Sequence, residues 1–242
     1  MTTKIRGLLA VVLLAGPMAA EAALTVYFGE NELAAGTVSG DPVTARTNFL
    51  SGLTGVGSEG FESYTPGDPF TNPLNVSFFG STITGKLSGG SFGVVDGNSD
   101  CCGRFNTTSL GSNWWLAGEA FSVEFSAPVS AFGFYGTDIG DFNGQLKIRL
   151  IDSSDVSVDK LVESTQNGPD GSLLFWGFID PTATYKKIEF DFTAEGADGF
   201  GFDDFVVGDP KQISPVPLPA AAWLLLSGLG GLGFLGRRRK TV

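Results

Sequence analysis

The chain's capacity for chemistry rests on its carboxylates and on two adjacent cysteines, because none of its 242 residues is histidine. Without histidine, Ser-His-Asp and Cys-His catalysis in their usual forms are excluded, and the commonest zinc and copper ligand is missing. Asp and Glu together number 26. Carboxylate oxygens are the ligands that calcium prefers, and carboxylate pairs also support glycoside hydrolysis.

The two cysteines, Cys101 and Cys102, are neighbours in the chain. Their Cα atoms are about 3.8 Å apart, below the usual disulfide range, so a bond between them is strained. A vicinal disulfide, a pair of intermolecular bridges and free thiols all stay open, and an exported protein favours oxidation. We expect the pair to stiffen a loop or to be incidental, rather than to serve redox chemistry or metal binding.

Trp114 and Trp115 follow Asn113 and together suggest a platform for stacking a sugar ring. Adjacent residues of a strand face opposite sides of the sheet. We therefore expect at most one of the two indoles to line such a ligand site, with the other in the core.

A further acidic segment spans residues 138–144, with Asp138 and Asp141 ahead of Asn143 and Gly144. Its spacing does not fit an EF-hand calcium loop, which needs alternate acidic positions and a distant glutamate. Residues 141–144 instead predict a hairpin turn between two strands.

The elements that must position these residues are mainly β-strands. Polar and apolar residues alternate in segments 121–125, 146–150 and 188–192, which is typical of half-buried strands. The 21 phenylalanines suit a core between two sheets. Shorter candidates, separated by turn residues at the spacing of a sandwich, are residues 24–28, 76–79, 81–87, 92–95, 131–135, 173–178 and 202–207.

One short N-terminal helix is predicted over residues 42–53. Asp41 is its expected cap, Pro42 takes its first position, and Gly55 follows its end. The fold class is therefore mainly β, an antiparallel β-sandwich with a single short helix.

Both ends of the chain differ from its middle. Residues 1–22 read as a secretory signal peptide, because Lys4 and Arg6 precede a short apolar run and Ala20-Glu21-Ala22 supplies a small-x-small cleavage pattern. Signal peptidase is therefore an expected partner. Residues 23–207 are assigned to the ectodomain, and residues 208–219, which hold four prolines, to a linker and sorting motif.

The C-terminal segment predicts a single transmembrane helix in residues 220–242. From Leu218 the uncharged run has 18 residues, which as a helix is about 27 Å long and just spans a thin hydrocarbon core. The basic residues that follow it hold the C-terminus on the cytoplasmic side of the inner membrane. These residues are Arg237, Arg238, Arg239 and Lys240.

The charge of the segment between these ends excludes one class of partner. The net charge of −11 includes +1 from residues 1–22 and +4 from residues 237–240, so residues 23–214 carry −16. So acidic a surface repels nucleic acid and anionic membranes. It suits divalent cations and neutral or cationic matrix polymers.

The proline motif, apolar run and basic end together resemble the PEP-CTERM sorting signal. Val216, Pro217, Leu218 and Pro219 stand where that family has Pro-Glu-Pro, without the glutamate. The resemblance implies processing by an exosortase, a membrane-embedded transpeptidase-like enzyme, after transient anchoring. The protein then passes to the cell surface or an extracellular exopolysaccharide matrix. Segments that look like ones recurring in a group of PEP-CTERM proteins are residues 60–64, 103–108, 131–138, 176–180 and 198–205.

An early Phe-Glu strand and a late Asp-Asp-aromatic strand resemble the terminal strands of calcium-binding jelly-roll domains. In that fold the first and last strands often pair, which implies that Glu62 and Asp203 are calcium ligands. Asp204 is the weaker candidate, because strand alternation lets only one of the two aspartates point into a given face. The alternative is that these carboxylates are solvated residues beside Gly-rich turns.

Two function classes follow from this sequence. The first, which we expect, is a noncatalytic exported surface or matrix protein with a jelly-roll-like sandwich, stabilised by calcium and binding glycan or exopolysaccharide. The second is a secreted, glycosidase-like hydrolase that uses a carboxylate pair.

Overall fold

The segments of alternating polarity form β-strands in the computed structural model, which describes residues 23–66, 73–90, 93–96, 102–193 and 198–214. One α-helix, α1, spans Asp41–Ser51. The strands are β1 Thr25–Asn31, β2 Gly57–Glu59, β3 Leu74–Ser77, β4 Thr84–Gly89, β5 Gly93–Asp96, β6 Asn113–Ala117, β7 Phe121–Val129, β8 Ala131–Thr137, β9 Gln145–Asp152, β10 Ser157–Leu161, β11 Leu173–Ile179, β12 Tyr185–Thr193 and β13 Phe200–Gly208.

The described strands form two antiparallel sheets. Sheet I has the order β1-β11-β8-β13-β6-β5, and β2 also pairs with β13. Sheet II has the order β10-β9-β12-β7-β4-β3. The predicted fold class, a mainly β sandwich with one short helix, is confirmed.

The core between the two sheets is built from aromatic side chains. Phe121 and Phe190 of sheet II stack with their ring centroids 4.2 Å apart. Phe134 of sheet I meets Phe190 edge-on at 5.1 Å. Aromatic pairs of this kind stabilise a core beyond the area they bury. The abundance of phenylalanine in the sequence is therefore explained by this interface between the sheets.

The opposite face of sheet I is also covered. Helix α1 lies against β1 and β11, and its Phe49 packs on Phe175 at a centroid distance of 5.5 Å. Phe105, from the loop between β5 and β6, joins the same apolar cluster. Every residue of β8 and β11 is consequently buried, whereas exposed and buried residues alternate along β9.

Helix α1 lies close to its predicted position but begins differently. Its N-cap is Gly40, at φ 78°, and not Asp41. Glycine adopts this left-handed conformation without steric strain. Pro42 lies in the first turn, as expected, and the helix ends at Gly52, before Gly55.

Three strands and one turn depart from the sequence-based expectation. Strands β2, β6 and β10 are not among the predicted segments. Strands β2 and β10 are short, β10 is largely exposed, and β6 is almost wholly buried and lacks alternation. The hairpin expected at residues 141–144 is wrong. Since β8 belongs to sheet I and β9 to sheet II, this segment crosses between the sheets, through a 3-10 turn at Asp141–Asn143.

The C-terminal end of the described chain folds back onto the domain. Asp209 and Gln212 form a capping box around the 3-10 turn Pro210–Gln212. The N–H of Thr54 donates to Gln212 O at 2.7 Å, and the N–H of Ser214 donates to Gly52 O at 2.9 Å. Residues 209–214, assigned to a linker from sequence, therefore pack on the ordered domain.

Candidate functional site

The pairing of β2 with β13 brings Glu62 towards Asp203. In this antiparallel pair Glu59 lies opposite Phe205. Because the partners run in opposite directions, residues that follow Glu59 continue alongside residues that precede Phe205. The early and late acidic segments therefore meet at one end of the pairing.

Asp203 is 1% exposed and fastens the loop between β5 and β6 to β13. Its Oδ2 accepts hydrogen bonds from Thr107 N at 2.7 Å, Thr107 Oγ1 at 3.0 Å and Thr108 N at 3.1 Å. Its Oδ1 accepts from Asp204 N at 2.7 Å. A buried carboxylate needs such donors to offset the loss of water.

Asp204 faces the same loop as Asp203, contrary to strand alternation. The register of β13 against β8 shifts between Asp203 and Val206, which marks a β-bulge, and Asp204 has a φ of 49°. Thr108 Oγ1 donates to Asp204 Oδ1 at 2.9 Å and to Asp203 Oδ1 at 3.3 Å. The bulge therefore turns both carboxylates towards one hydroxyl.

Glu62 is held by backbone N–H groups at the other end of the loop. Its Oε1 accepts from Asn113 N at 2.8 Å and from Ser112 N at 2.9 Å. A Cβ at Gly111 would collide with this carboxylate, so glycine is needed for the close approach. Glu62 is exposed, and solvent or an ion can reach it.

The oxygens of the two acidic segments converge on one amide. Asn106 Nδ2 donates to Asn113 O at 2.7 Å, to Glu62 Oε1 at 3.1 Å and to Asp203 Oδ2 at 3.3 Å. An amide NH2 has two hydrogens for these three acceptors. Rotation of the amide would place Asn106 Oδ1 among them, giving four oxygens of the type calcium prefers. Calcium takes six to eight oxygen ligands, so these four would supply part of its shell.

The electrostatics of Asp203 favour a bound positive charge. Burial raises the pKa of Asp203 to about 8, the charge of Asp204 adds to this, and the N–H groups of Thr107 and Asp204 oppose it. At neutral pH such a carboxyl is stabilised by a proton or by a cation beside it. Sequence reasoning named Glu62 and Asp203 but missed the role of Asn106, Thr107 and Thr108, which appeared there only as part of segment 103–108.

The two tryptophans do not form a surface platform. Trp114 is 1% exposed and Trp115 is 0% exposed. Trp115 belongs to the core between the sheets, and Trp114 lies against Gly201 on the other side of sheet I. Alternation does send them to opposite faces, but the outer face is covered by the loop between β5 and β6. Stacking of a sugar on either residue is therefore incompatible with this structure.

Cys102 is exposed and disulfide-bonded. Cys101 lies outside the described residues. The next residue, Gly103, packs against Asp138 and Gly171 with no room for a Cβ, so the cysteine segment adjoins the connections at that end of sheet I.

The outer face of sheet II carries an ordered row of polar side chains, which we call the central row. It crosses five adjacent strands, from β4 to β10, because each member lies opposite the next in the register of the sheet. Four interstrand spacings make this row roughly 19 Å long. A shallow pocket of ≈ 320 Å³ opens at its centre. The members of the central row are Ser88, Ser122, Glu189, Arg149 and Asp159.

The acidic residues of this pocket are paired with basic ones. Arg149 binds Asp159 through two hydrogen bonds, at 2.7 and 3.1 Å, and its Nη1 lies 3.7 Å from Glu189. Lys147 lies 2.6 Å from Asp191. Both carboxylates of this pocket, Glu189 and Asp191, are therefore engaged in ion pairs.

Several predicted features lie outside the described residues. They are the signal peptide 1–22, the sorting residues 216–219, the helix 220–242 and the basic residues 237–240. Within the described ranges, no helix is both long enough and apolar enough to cross a membrane.

The protein is an antiparallel sandwich of two β-sheets, in which the carboxylates of Asp203 and Glu62 accept hydrogen bonds from the loop between β5 and β6. Residues 215–240 match the model of the PEP-CTERM protein-sorting motif. The chain therefore carries this motif, as the sequence indicated, and the motif implies an exported protein that an exosortase processes after transient membrane anchoring. No curated protein matches the chain.

Among solved structures, the chain is similar to TmCBM61 in complex with beta-1,4-galactotriose, with 20% identity over 52% of this chain and 88% of that one and a TM-score of 0.33. It is also similar to the C-terminal family 22 carbohydrate binding module of Clostridium thermocellum Xyn10B, at 15% identity, 60% and 100% coverage and a TM-score of 0.30. The K2 cleaved adhesin domain of Lys-gingipain matches at 13% identity, 63% and 97% coverage and a TM-score of 0.34.

Proposed function

We propose that this protein is a noncatalytic component of a cell surface or extracellular matrix, and that its sandwich binds an exopolysaccharide. Signal peptidase first releases the N-terminal peptide, and the exosortase then removes the tail. The sorting motif at residues 215–240 supports the route of export. The domain is the part that stays with the matrix.

The observation that carries the binding role is the central row on sheet II. Sugar hydroxyls both donate and accept hydrogen bonds, so a glycan site needs both kinds of partner. Arg149 can donate from Nη1, since its Nε and Nη2 bind Asp159. Glu189 supplies acceptors, and Ser122 supplies both a donor and acceptors. These side chains protrude from a flat face that β9, β12, β7 and β4 build, and extended polysaccharide chains are complementary to such a face.

In this proposal a calcium ion stabilises the domain. Glu62 and Asp203 bind the ion, and Asp204 lies beside them. Support comes from the convergence of Glu62 Oε1, Asp203 Oδ2 and Asn113 O on the Asn106 amide. The ion replaces the amide hydrogens as the partner of these oxygens. The ion would hold the loop between β5 and β6. It would not contact the glycan, since neither Glu62 nor Asp203 lines the pocket on sheet II.

The test is a binding screen of the full-length chain, purified in detergent, against neutral and cationic polysaccharides in calcium and in chelator. We expect binding that falls at least about tenfold in Arg149→Ala, because that change removes two or more hydrogen bonds. Lys186→Ala is the matched control, since it removes one surface positive charge that pairs with Asp155. Equal loss in both variants, or no binding to any polymer, would refute the proposal.

A hydrolase finds no support in the described carboxylates of sheet II. Glu189 and Asp191 are the acidic residues of the pocket there, and both are ion-paired. We therefore place binding, and not cleavage, at this face.

A further inference from the structure

A second group of carboxylates, separate from Glu62 and Asp203, lies at the end of sheet I. Asp138 begins the connection from β8 to β9, and Asp141 lies in its 3-10 turn. Asp170 precedes β11, and Asp198 precedes β13. The candidate ligand oxygens of Asp138, Asp141 and Asp170 all lie within 4.8 Å of one another. Three connections that are distant in sequence thus place acidic groups together.

Two of these carboxylates are buried and lack partners for one oxygen each. Asp138 is 1% exposed; its Oδ1 accepts from Gly171 N at 2.9 Å, but its Oδ2 has no hydrogen-bond partner among the described residues. Asp141 is 6% exposed, and its Oδ1 likewise has none. An ionised oxygen deprived of water and of hydrogen bonds is costly. A cation bound beside them would satisfy these buried acceptors.

The nearby positive charge does not balance the group. Arg104 donates from Nη1 to Gly199 O at 3.0 Å, and its charge acts to lower the pKa of Asp138 and of Asp198. Among the described residues, the carboxylates of this group outnumber the guanidinium that acts on them. The site retains an excess of negative charge that a divalent ion would neutralise.

The ligand type and spacing suit calcium. Calcium binds oxygens at about 2.3–2.6 Å, so two ligands on opposite sides of it are at most roughly 5 Å apart, and the three candidate oxygens lie within 4.8 Å of one another. Magnesium is usually held by only one or two carboxylates together with waters, so a group of three carboxylates favours calcium.

We propose that Asp138, Asp141 and Asp170 form a second calcium site, with Asp198 at its edge. Asp138 Oδ2 and Asp141 Oδ1 are buried ligands, and the exposed Asp170 closes the site from solvent. The ion links the β8–β9 connection to the segment that leads into β11. This site is independent of the calcium ion of the proposed function, because the two share no residue.

The test is calcium binding by the full-length chain in detergent, measured by equilibrium dialysis and by the melting temperature in calcium and in chelator. Glu62→Gln is the background, since it weakens the first site only. In this background we expect one calcium ion per chain and a rise in melting temperature. Adding Asp170→Asn should weaken the remaining affinity by roughly tenfold or more, because ligand charge sets calcium affinity.

Asp170→Asn is the main variant because Asp170 is exposed and its loss leaves the buried pair in place. Asp155→Asn is the matched control, an exposed aspartate in a turn that pairs with Lys186. Asp141→Asn is a second variant, with its fold checked by circular dichroism in chelator. The proposal is overturned if the Glu62→Gln chain binds no calcium, or binds it equally with and without Asp170→Asn. If Glu62→Gln changes nothing and Asp170→Asn abolishes binding, the first site fails and this one stands.

Discussion

The turn between β11 and β12 depends on a buried carboxylate that a single hydroxyl helps to hold. Asp180 is 4% exposed, and its Oδ2 accepts a hydrogen bond from Tyr185 Oη at 2.7 Å. Its Oδ1 accepts from Thr182 N, Thr182 Oγ1 and Ala183 N at 2.7–3.0 Å. Because β11 is in sheet I and β12 in sheet II, this turn sets how the two sheets join. The substitution Tyr185→Phe removes this hydroxyl, so Asp180 Oδ2 loses the hydrogen bond that Tyr185 donates.

The expected loss follows from the charge of the acceptor. A hydrogen bond to a buried charged group contributes about 1.5–3 kcal/mol, so we expect Tyr185→Phe to lower the free energy of unfolding by about 2 kcal/mol at pH 7. For a domain of this size that is a fall in melting temperature of roughly 4–8 °C. Urea unfolding of residues 23–214 measures it. Tyr135→Phe is the control, since Tyr135 is 3% exposed and its hydroxyl donates to no other described residue.

The pH dependence gives the sharper test. Burial acts to raise the pKa of Asp180, but the hydrogen bonds from Tyr185 and Thr182 outweigh it and leave the pKa below its usual value. A lowered carboxyl pKa stabilises the fold above the unfolded value of about 4, and this stability is lost as pH falls through the folded pKa. The effect of Tyr185→Phe should therefore shrink between pH 7 and pH 3. An equal loss at both pH values, or the same loss in Tyr135→Phe, contradicts the reasoning.

Two further substitutions probe the core and the first calcium site. Phe190→Ala removes the ring that stacks on Phe121 and should lower the free energy of unfolding in urea by about 3–5 kcal/mol. Phe79 is 88% exposed, so Phe79→Ala should change this free energy by less than about 0.5 kcal/mol. Comparable losses in the two variants would refute the core assignment. Glu62→Gln should reduce the rise in melting temperature that calcium produces, and the surface variant Glu124→Gln should not. An undiminished rise in the Glu62→Gln variant excludes Glu62 as a ligand.

Alternation was sufficient to predict strands that have one face in the core and one in solvent. Strands β7, β9 and β12 are of this kind, and their central residues were identified from sequence. Strands β8 and β11 are buried on both faces and lack the pattern. Their second cover, α1 and the loop that carries Phe105, depends on how distant segments pack. No local period in the sequence contains that information.

In the candidate sites, too, some features were predicted from the sequence and others depend on how distant segments pack. Glu62 and Asp203 were paired from the resemblance of their segments to terminal strands. The pairing of β2 with β13 brings the two segments together, but Glu62 follows β2 in a turn, and the first strand, β1, pairs with β11 and not with β13. The direction of Asp204 was not predictable from period-two alternation, because a bulge overrides it. Asp138, Asp141 and Asp170 form a group only once the β8–β9 and β10–β11 connections have folded to the same end of sheet I.

The loop between β5 and β6 connects these two acidic groups. Gly103 packs against Asp138, and Phe105 N donates to Thr137 Oγ1 at 3.4 Å. Further along, Thr107 binds Asp203, and Asn113 binds Glu62. Phe105 is the loop residue that joins the apolar cluster on this face, so carboxylates, and not hydrophobic burial, hold most of the segment. Since this loop covers Trp114, its hydrogen bonds to Asp203 and Glu62 also hold the cover on the outer face of sheet I. Calcium at either group would therefore stabilise the same loop.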